Sequence, residues 1–207
     1  MEQLVIPAIL DACCGSRMMW FDKSDRRALF IDKRAEVHAN HDKANPGRSP
    51  CVIAPDAVAD FTALPFPDET FYLVVFDPPH VKASRTGVSG RFRKIYGVLP
   101  NDWKGLLRAG FAECFRVLRP HGILVFKWSE HCYPLSDVLQ LTPHQPLFGH
   151  RTTRTTHWYV FMKDPPKTLG FPQRPRNRKK DRERLSALIS ETSSEECFTA
   201  QREVDRG

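Results

Sequence analysis

No apolar run in this 207-residue chain approaches the roughly 20 residues of a membrane span, so no spanning helix is expected. No charged leader followed by a long apolar stretch opens it, and no secretory signal is expected either. The six cysteines lack regular spacing, and Cys13 and Cys14 are adjacent, which suits a bridge poorly. They read as reduced thiols of a cytoplasmic protein. The close ligand pairs of a structural zinc site are missing: His38 and His41 lie three apart and His131 abuts Cys132, so no metal is expected. There is no serine-nucleophile elbow, no phosphate-binding loop and no internal repeat.

What is present begins with Asp77-Pro78-Pro79-His80, which follows the apolar run Tyr72-Leu73-Val74-Val75-Phe76. A β-branched and aromatic run that stops at an acid and two prolines reads as a buried strand. Each proline pushes the residue before it to extended geometry, so Asp77 is presented on a stiff corner. Upstream, the apolar stretch from Ile6 ends at Asp11, Ala28-Leu29-Phe30-Ile31 ends at Asp32, and Ala57-Val58-Ala59 ends at Asp60. Four strands ending on aspartate predict four acids along one edge of a parallel sheet, where α/β ligands bind. Brief helices are expected over 16–25 and 33–41, a loop over 42–50, and a mobile glycine-rich, basic loop over 81–100. Asn101 or Asp102 caps the next helix, whose buried face is Trp103, Leu106, Leu107, Phe111, Phe115 and Leu118, ended by Pro120 and Gly122. Ile123–Trp128 is a fifth strand, and residues 146–163 suit a terminal antiparallel hairpin.

The net charge of +7 is concentrated. Residues 81–104 hold six basic residues and one acidic, and residues 163–186 hold nine and three. Two basic segments on a mildly acidic body predict a polyanion partner, most simply nucleic acid. From Asp164 the chain turns proline-rich and basic, then acidic and serine-rich, and disorder is expected over 164–207, with a short helix near 182–190.

Taken in order, Ile9-Leu10-Asp11-Ala12-Cys13-Cys14-Gly15-Ser16, then Phe30-Ile31-Asp32, then Ala59-Asp60-Phe61, then Asp77-Pro78-Pro79-His80 resemble the motifs of the class I methyltransferases, which use S-adenosylmethionine (SAM). The last resembles the Asp-Pro-Pro-aromatic signature of enzymes that methylate exocyclic nitrogens of nucleobases. The whole is also similar to small methyltransferases carried by phages and prophages. The resemblance covers roughly residues 5–163. It implies a Rossmann-like α/β domain over 1–163, with a mostly parallel seven-stranded sheet. It also implies a SAM site drawn from Asp11, Ala12, Cys13, Cys14, Gly15, Asp32, Asp60 and Phe61. Asp32, 21 residues after Asp11, would accept from the ribose diol, as the spacing also suggests. Asp60 would accept from the adenine amine, Phe61 would pack on that ring, and Asp11 would lie near the methionine amine. The turn has one glycine, Gly15, where such a turn usually has two or three.

Asp77, Pro78, Pro79 and His80 would form the catalytic corner. The Asp77 carboxylate and Pro78 carbonyl would orient the acceptor amine, and His80, where an aromatic usually stands, would hold the base. Lys82, Arg85, Arg91, Arg93 and Lys94 would contact phosphates, Tyr96 or Phe92 would stack on a base, and Lys127 and Trp128 would line the pocket. The implied reaction is methylation of a nucleobase amine, adenine N6 in DNA first and RNA second. A non-catalytic nucleic-acid-binding protein that keeps the fold, and a methyltransferase for protein or small molecules, stay open. Oligomeric state is not readable.

Overall fold

A computed structural model of the chain describes residues 6–39, 50–82 and 90–164. The chain divides into Met1–Pro166 and Lys167–Gly207. The second unit, and with it the expected tail helix, lies outside the described residues, as does most of the expected 42–50 loop.

The elements run β1 (Ile9–Asp11), β2 (Ala28–Asp32), β3 (Glu36–His38), β4 (Cys51–Ile53), β5 (Ala57–Val58), β6 (Phe71–Phe76), α1 (Gly90–Tyr96), α2 (Trp103–Val117), β7 (Leu118–Ser129), α3 (Leu135–Leu139), β8 (Phe148–Arg151) and β9 (Thr156–Met162). Seven strands form one sheet in the order β5-β2-β1-β6-β7-β9-β8, and β3 pairs with β4 in a separate ribbon. The pairings from β5 through β7 are parallel, whereas β9 is antiparallel to both β7 and β8. The mostly parallel, Rossmann-like sheet and its antiparallel hairpin are as the sequence implied. Chain order reverses direction between β1 and β6, the place where such sheets bind ligands.

Helix α2 covers one face of the sheet. Asp102 caps it by accepting from the Gly105 N–H at 3.0 Å. Its apolar stripe buries Trp103, Leu107, Phe111 and Phe115 against Leu10, Ile31, Val74, Phe76, Leu124, Phe126 and Phe161. Each such side chain contributes about 1.5–3 kcal/mol on burial. Along β7 the alternation is strict near the end: Leu124, Phe126 and Trp128 are buried, while Val125 and Lys127 face the other side half-buried.

Several local expectations are corrected. Residues 16–25 form turns, because Asp22 and Asp25 accept from the backbone N–H groups of Ser24 and Arg27 and offer the chain an alternative to helix. Of the expected helix over 33–41, the described residues hold strand β3 instead, since Val37 pairs with the β-branched Val52. The expected loop over 81–100 contains α1, with Gly90 opening it and Gly97, at φ +72°, just past its end, so neither glycine interrupts the helix interior. Helix α2 stops before Pro120 rather than at it. Pro120, His121 and Gly122 fall inside β7, where the pairing with β6 slips between Phe71 and Leu73.

Among the described residues no helix is long and apolar enough to cross a membrane.

Candidate active site

The turn after β1 is stitched to its neighbours. Ala12 N–H donates to Val75 at 3.0 Å and Cys14 N–H to Ile31 at 2.8 Å. Gly15 takes φ +51°, which a side chain would strain, and its N–H reaches Asp32 Oδ2 at 3.0 Å. The turn and the acid after β2 are therefore one unit.

Around it opens a cavity of about 630 Å³, within the range of small-molecule sites. Its walls include Asp11 at the end of β1, Cys13, Cys14 and Gly15 from the turn that follows, Asp32 at the end of β2 with Arg34 just beyond it, and Phe61. The remaining wall is Asp77 and Pro79 from the corner, Arg93, Lys94 and Tyr96 from α1, Lys127 from β7 and Trp158 from β9. Three of the four aspartates thus meet. Asp60 does not line the cavity: its Oδ1 accepts from the Thr62 N–H and hydroxyl at 2.9 and 2.8 Å. Phe61 is 4% exposed, packs edge-on against Phe76, and shows the cavity little of its ring.

Each acid has partners. Asp11 is fully buried and accepts from Trp20 Nε1 at 2.7 Å and the Cys13 N–H at 3.3 Å. Burial pushes its carboxyl up to about 7 against the pull of those two donors, with Asp77 and Asp32 adding repulsion. Asp32 is bound by Arg34 through Nε at 3.1 Å and Nη2 at 3.3 Å, and Arg34 Nη1 also donates to the Lys94 carbonyl at 2.8 Å. Asp77 Oδ2 meets Lys127 Nζ at 2.6 Å. Burial raises the Asp77 carboxyl, and the Lys127 ammonium opposes the rise. Burial and the same carboxylates hold the Cys13 thiol protonated and push Cys14 up to about 12, so neither is a nucleophile.

The corner itself is stiff. Pro78 is buried, and the φ-positive Gly97 brings the chain so close to Pro79 that an added Cβ would lie 3.1 Å from Cγ. His80 is 7% exposed and does not line this cavity. Phe92, Tyr96, Trp128 and His131 surround it at 6.1–6.2 Å between ring centres. Burial lowers its imidazole to about 4, the nearby Lys127 and His131 act the same way, and a bond from the ring to the Pro78 carbonyl works against them.

Of the other expected site residues, Ala12 is completely buried. Lys82 is exposed away from the cavity, its N–H donating to Cys132 Sγ. Trp128 is core. Arg85 and the Arg91 side chain lie outside the described residues. Sequence reasoning passed over Arg34, Trp20 and Trp158. Arg34 could have been found from its place two residues after Asp32, and Trp158 from its alternation with Val160 and Met162.

No family model matches the chain, and no curated protein matches it. Among solved structures it is similar to the PH0226 protein from Pyrococcus horikoshii, at 16% identity and TM-score 0.46 over 75% of this chain and 81% of that one. It is similar to a TehB-like SAM-dependent methyltransferase from Corynebacterium glutamicum, at 16% and 0.44 over 77% and 82%. A third is the 1,6-didemethyltoxoflavin-N1-methyltransferase from Burkholderia thailandensis, solved with S-adenosylhomocysteine, at 15% and 0.44 over 77% and 72%.

Proposed function

We propose that this protein is a SAM-dependent methyltransferase acting on an exocyclic amino group of a nucleobase in nucleic acid, adenine N6 in DNA first. The observation that carries the reading is the meeting of Asp11, Asp32 and Asp77 with Gly15 in one cavity at the carboxyl edge of the parallel strands.

The residues suit the cofactor. The cavity volume is adequate, the Asp32 carboxylate can accept from a diol once Arg34 moves off it, and Asp11 can face an ammonium. Bound there, SAM supplies an electrophilic methyl group on a sulfonium. Phe61 lines the cavity on the side proposed for adenine, whereas Asp60 would have to leave Thr62 and turn inward to reach that amine.

The chain's own work is orientation. An exocyclic amine is a weak nucleophile because its lone pair is delocalised into the ring. Its two protons would donate to Asp77 and, once the corner turns the buried Pro78 carbonyl toward the cavity, to that carbonyl, which favours a pyramidal nitrogen. Lys127 and His80 each occupy only one lone pair of these acceptors, and a carboxylate and a carbonyl have others to give. The Lys127 ammonium opposes the rise that burial imposes on the Asp77 carboxyl. Orientation of this kind can account for a large share of a barrier. A strong base is not needed, since the proton can leave after transfer.

Arg93 and Lys94 at the cavity wall support a polyanionic substrate, together with the basic composition of the 81–104 segment. Phosphate contacts by Lys82, Arg85 and Arg91 belong to the same reading. So do a methyltransferase domain over 1–163, a basic then acidic segment over 164–207 and a cytoplasmic place. RNA is the runner-up substrate.

The test is mass spectrometry of nucleosides from DNA and RNA incubated with protein and SAM. The expected product is N6-methyldeoxyadenosine, absent with Asp77→Ala. Unmodified nucleosides throughout, or equal modification by Asp77→Ala, would overturn the reading. One observation favours a non-catalytic, nucleic-acid-binding protein: Arg34 and Lys127 already occupy Asp32 and Asp77. A SAM titration with no heat at millimolar concentration would decide for it.

A further inference from the structure

A planar methyl acceptor needs a ring face to lie on, and His80 has none to offer. It is 7% exposed, ringed by four aromatic side chains, and outside the cavity. That enclosure leaves the stacking role open.

A different ring stands in the right place. Asp77 follows Phe76, which pairs with Phe126 of β7, so Asp77 and Lys127 are side by side on neighbouring strands. Lys127 pairs in turn with Trp158 of β9. The three side chains form a row on one face: carboxylate to ammonium at 2.6 Å, ammonium to indole centre at 5.8 Å. Trp158 is only partly buried and forms a wall of the cavity. The strand beneath it is pinned, because His157 is tied to Glu130 at 2.7 Å and Trp158 is also paired with His150 of β8. The row lies on the β6-β7-β9 half of the sheet, whereas the turn and acid suited to the cofactor lie on the β1-β2 half.

We infer that Trp158, and not His80, is the face on which the methyl acceptor stacks, which makes the acceptor an aromatic heterocycle with its amine edge turned toward Asp77. The inference rests on the methyl-transfer reading above. Trp158 is a positioning residue: it holds the ring, and Asp77 and Pro78 hold the amine. A base–aromatic stack of this kind corresponds to roughly tenfold or more in affinity.

The probe is 9-ethyladenine, which is planar and carries neither ribose nor phosphate, titrated by fluorescence quenching and by NMR. The proteins are wild type, Trp158→Leu and Trp158→Phe, each checked for folding by circular dichroism. Millimolar probe should saturate the wild type. Trp158→Leu should weaken binding about tenfold or more, and Trp158→Phe should restore it to within about threefold. SAM affinity, measured on the same proteins, should not change with Trp158. Equal binding by Trp158→Leu and wild type would overturn the inference. Equal loss in the Leu and Phe variants, or no saturation of the wild type, would do the same. Failure of the wild type to bind SAM would instead sink the proposed function, while the probe arms would still report on Trp158.

Discussion

Arg34 grips the acid two residues before it, with Nε 3.1 Å from Asp32 Oδ1 and Nη2 3.3 Å from Oδ2, and with its third nitrogen it holds the Lys94 carbonyl of α1. One guanidinium therefore closes the place a ribose diol would take and ties down the helix that walls the cavity. Arg34→Ala should lower thermal stability without cofactor, because Asp32 is only 4% exposed and would lose its charged partner. The same variant should bind SAM about threefold to tenfold more tightly, since no ion pair has to be displaced, an effect of about 1 kcal/mol. Calorimetric titration of both proteins checks this, and weaker SAM binding by the variant would refute it.

Lys127→Met should cost about 2 kcal/mol of stability by leaving the Asp77 carboxylate buried without its ammonium. The double variant Asp77→Asn, Lys127→Met should recover most of that loss. Urea unfolding in a double-mutant cycle gives the coupling directly. Additive losses would show that the pair is not coupled.

The Asp11 carboxyl is raised from 3.8 to about 7 in the fold. The folded state therefore keeps a proton that the unfolded chain releases from about pH 4 upward. Stability contributed by this group falls as pH rises through that window and levels off above 7, by on the order of 4 kcal/mol in all. Asp11→Asn should gain on the wild type across the same window, and a difference curve that stays flat between pH 4 and 8 would contradict it. SAM binding should strengthen from pH 6 to 8 as Asp11 ionises.

His80 runs the opposite way. Its imidazole is lowered from 6.5 to about 4, so it stays neutral in the fold while the unfolded chain takes up a proton below 6.5. Stability from this group is present above 6.5 and is lost as pH falls toward 4. NMR of labelled histidine should show one ring with no titration between pH 5 and 8, and that resonance should vanish in His80→Asn.

Gly110 is packed against aromatic rings: an added Cβ would lie 2.7 Å from Phe76 and 2.8 Å from Phe61. Gly110→Ala gains about 1 kcal/mol in helix propensity but overpacks a rigid cluster at a cost of about 1–3 kcal/mol. The expected net result is a lower melting temperature, with Phe61 displaced and SAM affinity reduced. A stabilised variant would show the rings to be free to move.

Period and punctuation in the sequence were enough to place β1, β2, β5, β6, α2 and the final hairpin, because each has an apolar run closed by an acid, a cap or a proline. They were also enough to bring Asp11, Asp32 and Asp77 to one edge. What escaped them depends on partners far along the chain. Val37 becomes a strand residue because Val52 meets it. Phe92, Ile95 and Tyr96 are spaced for a helix face, but the glycines around them read as loop. His80 sits where the motif puts a stacking ring, yet its fate is decided by Phe92, Trp128 and His131, none of which is near enough in sequence to announce an enclosure. Trp158 becomes a wall of the cavity only because β9 returns beside Lys127.

The direct passage from Val117 into Leu118 leaves β7 no linker, and it is paired on both sides from Ile123 to Phe126 and with β9 alone from there to Ser129. Gain or loss of a single codon between Ile123 and Lys127 would turn the strand over. The ammonium would enter the hydrocarbon interior, and after a loss the Trp128 indole would take its place beside Asp77. Point changes alter one wall at a time; here chain length is more tightly fixed than chemistry.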